Sequence, residues 1–414
     1  MTMKGFATRA IHGAAGKREA FGALRMPVYD SVAFEHETAA SIAQTFAGRK
    51  PAHVYSRISN PTVQDFEQRL KLLSGGIAVL ALSSGMAAIS NTIMALAGAG
   101  ANIVTTRNLF GNTFSLFERT FKPWGLGVRY VSMENPAEID RAIDSATCAV
   151  YLESVTNPQL EVADCALIGE VTRQRHVPLV VDNTLMTPYL FDTKQAGIDI
   201  ELLSTTKYIS GGATSVGGAI IDNGTFNWEW SAKLASGAEK AGALAFMASL
   251  RQEVYRNTGA CLAPHHAYLQ TLGLETMSLR IDRSCDNALR LARFLAGHPK
   301  VRAVNYPGLE GAASHPVARR QFGAKFGGLL TIDLVDREAC YELMDNLRII
   351  RLATNLNDNK SLILHPWTTI YAEYSPEERL AMGVRPTMLR LSAGIEDHDD
   401  LIEDLQRGLG HSHD

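Results

Sequence analysis

Apolar and polar positions along the chain fall into two alternating patterns. Short, mainly apolar runs recur at 77–82, 102–106, 128–132, 149–153, 179–181 and 198–203, and segments with helical spacing lie between many of them at 62–73, 86–97, 137–144 and 166–176. Runs this short with little polar alternation predict strands buried on both faces. Such strands require helices on either side, so the pattern predicts an α/β fold with a mainly parallel central sheet. A further strand is expected at 216–221, then a Trp-, Ala- and Ser-rich stretch at 227–250 that reads as loop plus helix. Beyond a boundary near Tyr255, helices at 262–272, 279–295, 337–347 and 397–409 and strands at 301–305, 328–334 and 389–392 predict a smaller α/β domain. Residues 1–58 carry only one short helical stretch, 38–46, and form an arm with little core of its own, which must pack on something else such as a second subunit. The expected organisation is an arm (1–58), a large domain (59–255) and a C-terminal domain (256–414).

Composition narrows the function classes. At 414 residues the chain exceeds the roughly 250–300 at which a single core stops growing, so two domains are expected. Hydrophobic residues at 46% and charged residues at 20% are ordinary for a soluble globular protein. A net charge of −3 gives no electrostatic reason to expect nucleic acid or an anionic membrane, which leaves small molecules. The five cysteines are scattered without a CxxC pair, which fits reduced cytoplasmic thiols better than a disulfide framework or a zinc site. No run approaches the roughly 18 uninterrupted apolar residues of a membrane span, and a cytoplasmic location is expected. The terminal His411 and His413 read as a frayed tail, and no metal site is expected.

Candidate chemistry gathers where predicted strands end. The 198–203 run delivers Ser204, Thr205, Thr206, Lys207, Tyr208, Ile209, Ser210, Gly211 and Gly212. Desolvation there penalises the ammonium of Lys207 and favours the neutral amine, which can form a Schiff base. The hydroxyls of Ser204 and Thr206, with amides near Gly211 and Gly212, can hold a phosphate beside it, and an amine next to a phosphate seat suggests pyridoxal phosphate. The alternative is a lysine that snorkels from a strand end. A second phosphate seat lies where Ser83, Ser84 and Gly85 turn into the helix beginning near Met86; it has neither a P-loop ending nor a dinucleotide fingerprint. Arg57 is a fork-shaped phosphate donor with the Tyr55 hydroxyl nearby, or simply a surface residue. Asp182, buried at a strand end, needs a cation to stay ionised; a protonated pyridine nitrogen would serve, as would a capping role in the following turn. Asn157 sits at the same sheet edge. Phe110 can stack on a ring or fill core. Arg390, inside an apolar strand, needs a substrate carboxylate or a structural acid, and Ser361 is a lesser candidate for that carboxylate.

Taken together, YSRISNPT (55–62), SSGMAA (83–88), VDNT (181–184), STTKYISGG (204–212), SLILHP (361–366) and RLSAGIED (390–397) resemble the Cys/Met-metabolism family of pyridoxal-phosphate enzymes across nearly the whole chain. The resemblance implies the aspartate aminotransferase-like transferase fold (fold type I). It further implies that Lys207 holds the cofactor, Asp182 its ring nitrogen, and Gly85, Met86, Ser204 and Thr206 its phosphate. Tyr55 and Arg57 would reach across from a neighbouring subunit of a homotetramer, Asn157 would meet the ring hydroxyl, and Arg390 and Ser361 the substrate carboxylate. Stretches 273–295 and 304–310 look most like O-acetylhomoserine sulfhydrylases. Phe110 stands where most members have a tyrosine, and Asn112 where methionine γ-lyases tend to have a cysteine. Both differences favour replacement with sulfide or a thiol on an O-acylhomoserine over methionine or cystathionine γ-lysis, with O-succinylhomoserine sulfhydrylase and cystathionine γ-synthase as further alternatives.

Overall fold

The computed structural model describes residues 4–13 and 21–410; His411 and His413 lie outside them. The large sheet contains β1 (Ala78–Leu82), β2 (Asn102–Thr105), β3 (Gly127–Tyr130), β4 (Thr147–Glu153), β5 (Leu179–Asp182), β6 (Ile200–Leu203) and β7 (Gly218–Asp222). Their order is β1-β7-β6-β5-β4-β2-β3. Every run expected to be a strand is one. The sheet is parallel except for β7, which runs antiparallel to both β1 and β6. Strands β2, β6 and β7 are buried at every residue, so both faces must be covered. Helix Pro61–Ser74 begins with the Asn60 side chain accepting the Thr62 amide and Pro61 at its first turn, and it ends at Gly75 in the left-handed region.

The second sheet contains β8 (Ala303–Asn305), β9 (Leu329–Asp333), β10 (Arg351–Leu352), β11 (Leu362–Leu364) and β12 (Met388–Ser392), in the order β10-β11-β12-β9-β8. It is antiparallel apart from the β10–β11 pair. Strands β10 and β11 were not expected, because two or three residues are too few to show a period. Helices Phe6–His12, His315–Phe322 and Pro376–Ala381 are likewise additions to the sequence pattern. Helix Pro264–Glu275 packs on helix Pro61–Ser74 and on the Tyr208–Ser210 turn, whereas Met277–Ala296 packs on β8, β9 and helix His398–Leu409. On this packing we place the change from large to small domain between those two helices, later in the chain than Tyr255. The close approach of the first helix depends on paired glycines. A Cβ on Gly273 would stand 2.1 Å from the Ile209 carbonyl oxygen, and Gly211, at φ +83°, lies directly against Gly273. This contact braces the turn just after Lys207.

Within the arm, helix Phe6–His12 is tied to helix Pro61–Ser74 by Arg9 donating to the Leu72 carbonyl and Arg69 to those of Ala10 and Ile11. Helix Ala39–Phe46 is capped by Thr38 but buries no residue, and Phe46 is 70% exposed.

Three buried acids lie on β6, β7 and the approach to β6. Asp199 accepts from the Leu179 amide and the Thr225 hydroxyl, and Glu201 from Asn183 and Thr193, while one oxygen of Asp222 has no partner. Burial pushes the Asp222 and Glu201 carboxyls up to about 7. Between pH 4 and 7 the folded state therefore keeps protons that the unfolded chain has released, so stability falls as pH rises and the loss is complete above 7, about 4 kcal/mol for Asp222. Asp222→Asn, which retains the oxygen that accepts the Gly224 amide, is expected to melt no higher than wild type at pH 4.5 and several degrees higher at pH 8. Thermal melts across that range check it; a gain independent of pH would exclude ionisation as the cause.

Candidate active site

At the carboxyl ends of β4, β5 and β6 lies a cavity of about 500 Å³, within the size range of small-molecule sites. Gly85, Met86, Phe110, Asn157, Asp182, Ser204, Thr206, Lys207 and Arg390 all line it. A larger groove of about 710 Å³ near Arg107 and Tyr130 meets this cavity only at Glu153 and has no lysine in its wall. Volume therefore does not pick out the reactive site; the amine does.

Lys207 comes just after β6 and is largely buried. Burial first, and the nearby Arg390 charge second, bring its amine down to about 8. Its Nζ donates to Asn355 Oδ1 at 2.6 Å. Asp182 ends β5 and is partly buried; burial raises its carboxyl, opposed by hydrogen bonds from Thr184 and by the charge of Lys207. One oxygen accepts the Thr184 amide at 2.9 Å, which fixes its orientation. Lys207 and Asp182 thus line one cavity, the amine with a lowered proton affinity and the acid in need of a cation.

The opposite wall is the amino end of helix Gly85–Leu96. Ser84 caps it by accepting the Ala87 amide, leaving the amides of the first turn as anion donors. A Cβ on Gly85 would stand 2.7 Å from the Ser204 Cβ, so glycine is what lets this turn close on the β6 loop. The Ser204 amide donates to the Thr184 hydroxyl at 2.7 Å, and the Thr206 hydroxyl both donates to and accepts from Gly217. The small residues of the lysine loop are held rigidly beside the helix terminus.

Arg390, in β12, reaches the cavity from the second sheet. It is 2% exposed. Its Nη1 donates to Asn157 Oδ1 and its Nη2 to the carbonyls of Thr354 and Asn355, all at 3.0 Å, while Nε has no partner. Among the described residues no carboxylate pairs with it, so the structural-acid alternative finds no candidate. Burial lowers its proton affinity to about 10. A buried guanidinium bonded only to neutral groups is well suited to an incoming carboxylate.

Three expected residues are not in this cavity. Ser361 is fully buried; its hydroxyl donates to Glu396 and accepts from the Gly394 amide, so it has no free donor for a substrate. The polar side chain beside Arg390 and Lys207 is Asn355 instead. Tyr55 is 41% exposed, with the Arg57 guanidinium over its ring, and Arg57 donates to the Arg256 carbonyl; neither lines the cavity of its own chain. Asn355 and Glu153 are cavity residues that the sequence reading missed. Asn355 lies in a polar stretch with no period. Glu153 did carry a signal, an acid that ends an apolar run as Asp182 does.

These features fit pyridoxal phosphate: an amine near neutrality for the aldehyde, a buried acid for the ring nitrogen, a helix terminus for the phosphate, and a separate cation for the substrate. Among the described residues no group of three or more His, Cys, Asp or Glu is placed to hold a metal, and no helix is long and apolar enough to cross a membrane.

Comparison with known proteins points the same way. The model of the Cys/Met metabolism PLP-dependent enzymes matches residues 7–410. L-methionine gamma-lyase of Pseudomonas putida is 36% identical over 98% of each chain. The solved structure of O-acetylhomoserine sulfhydrylase from Wolinella succinogenes is 47% identical, covering 85% of this chain and 98% of that one, with a TM-score of 0.77. A Campylobacter jejuni structure described as an O-acetylhomoserine (thiol)-lyase, which carries a pyridoxyl-lysine phosphate, is 32% identical over 97% and 99% of the two chains, with a TM-score of 0.91. The match extends from the arm to the last helix and includes both sheets and the lysine loop between them, so the chain belongs to the Cys/Met metabolism family of PLP-dependent enzymes.

Proposed function

We propose that this enzyme carries out γ-replacement on an O-acylhomoserine, with O-acetyl-L-homoserine as the preferred ester and sulfide or a thiol as acceptor. The products are homocysteine or a related amino acid and the free carboxylate. The observation that carries this reading is Phe110, a cavity residue with no ionisable group. A carboxylate leaves without a proton, whereas expulsion of a thiolate gains roughly 10²–10⁴ from a general acid. The 47% identity to the Wolinella sulfhydrylase over 85% of this chain supports it, whereas the Corynebacterium and Thermus sulfhydrylases, at 35% and 36%, stand level with the Pseudomonas lyase at 36%.

The bound cofactor supplies an electron sink for charge that develops at the substrate Cα. In this assignment Lys207, once released, takes the Cα proton and carries the Cβ proton, which its low proton affinity permits at neutral pH. Asp182 would keep the ring nitrogen protonated, and the amides of Gly85 and Met86 with the Ser204 hydroxyl would take the phosphate, joined by Thr206 on turning its hydroxyl from the Gly217 carbonyl. Arg390 grips the α-carboxylate with Asn355 beside it. Phe110 would stack on the ring, and Asn157, held by Arg390, would meet the ring hydroxyl. Tyr55 and Arg57, outside their own cavity, complete that of a neighbouring copy, and the exposed arm packs there in a cytoplasmic homotetramer.

Steady-state rates for the acetyl, succinyl and phospho esters with sulfide test the assignment. The acetyl ester is expected to give the highest kcat/KM; release of 2-oxobutanoate from methionine at a comparable rate would favour the γ-lyase reading, which the Pseudomonas relative supports. Phe110→Tyr is expected to raise elimination from methionine by about tenfold or more, since it returns an acid to the site. An unchanged elimination rate would sink the acid argument.

A further inference from the structure

Glu153 has no part in the chemistry assigned above, yet it occupies a costly position. It ends β4 opposite Asp182 in the sheet register and is only 5% exposed. Burial, then the charge of Asp182, push its carboxyl well above the usual range. Two acids side by side in a low-dielectric interior disfavour each other's ionisation. An apolar or neutral residue would avoid that penalty, so the position calls for a geometric reason.

The hydrogen bonds supply one. Glu153 Oε1 accepts the Phe110 amide at 2.6 Å, and Oε2 accepts the Asn157 amide at 3.3 Å. Phe110 and Asn157 lie on separate loops, one after β2 and one after β4. From the other side the buried Tyr371 hydroxyl lies 2.9 Å from the Leu109 carbonyl oxygen and 3.0 Å from that of Asn157. Asn157 in turn holds Arg390. We propose that Glu153 is a positioning residue whose single carboxyl fastens the backbones of Phe110 and Asn157 together, setting the stacking ring and the ring-hydroxyl contact at a fixed separation. This deepens the function proposed above and rests on it for the roles of those two residues. A glutamine places an NH2 donor where one of these oxygens stands, and that nitrogen cannot accept an amide, so it can hold one of the two backbones but not both.

Hydrogen exchange of the cofactor-free protein, read by mass spectrometry over peptides covering 108–113 and 155–158, tests the clamp without turnover. Glu153→Ala is expected to speed exchange at both Phe110 and Asn157 about tenfold, the loss of one hydrogen bond each, and Glu153→Gln at only one of them. In the cofactor-loaded protein, Glu153→Gln is expected to weaken the circular dichroism of bound pyridoxal phosphate. Its kcat for the acyl ester should fall about tenfold with KM within twofold. Should Glu153→Ala fail to fold, the glutamine variant decides alone: wild-type protection at both amides overturns the clamp, as does unchanged cofactor dichroism. Lost protection in a protein whose wild type does not turn over acylhomoserine would leave the clamp standing and remove the proposed reaction instead.

Discussion

Lys207→Ala is expected to lower turnover by at least about 10⁴-fold, because one amine serves as both the cofactor anchor and the proton carrier. The variant should also lose the visible absorbance of covalently held cofactor while keeping its fold, since Nζ makes a single hydrogen bond, to Asn355. The wild-type pH dependence is set by the amine at about 8. Only the neutral amine attacks an aldehyde, so the rate at which cofactor-free protein captures pyridoxal phosphate should rise nearly tenfold per unit up to pH 7 and level off above 8. Stopped-flow absorbance measures this directly. A flat profile from pH 6 to 9, or full activity in the alanine variant, would remove Lys207 from the chemistry.

Arg390→Ala is expected to lower kcat/KM for the amino acid by about 10³-fold while leaving capture of the cofactor within a fewfold of wild type. A desolvated guanidinium–carboxylate pair is worth about 2–5 kcal/mol when one partner is removed. Arg390 also meets Asn157, Thr354 and Asn355 at once through a planar fork. Arg390→Lys keeps the charge but cannot make those contacts together, so it should recover only part of the loss. Comparing cofactor affinity with kcat/KM separates the two roles. If both fell together, Arg390 would be serving the cofactor pocket and not the substrate.

Much of this was legible from local patterns. The central strands announce themselves as apolar runs, and a parallel sheet gathers the residues after each run at one edge. Asp182 at the end of β5 and Lys207 just after β6 were therefore readable as neighbours from the chain alone, and so was the amide seat at Gly85. The antiparallel entry of β7 was not, because a fully buried strand has the same composition in either direction.

The substrate end of the cavity was less predictable. Ser361 and Asn355 are both polar residues in one short segment, and nothing in their spacing says which faces a ligand. Glu396, 35 residues further on, takes the Ser361 hydroxyl and leaves Asn355 beside Lys207. Glu153 and Tyr371 come to the same two loops from places far apart in the chain. Strand identity and strand-end chemistry are set by burial and period among adjacent residues, so they can be read along the chain. Which hydroxyl, amide or carboxyl is left to meet a ligand depends on long-range hydrogen-bond partners that form only when both sheets have packed.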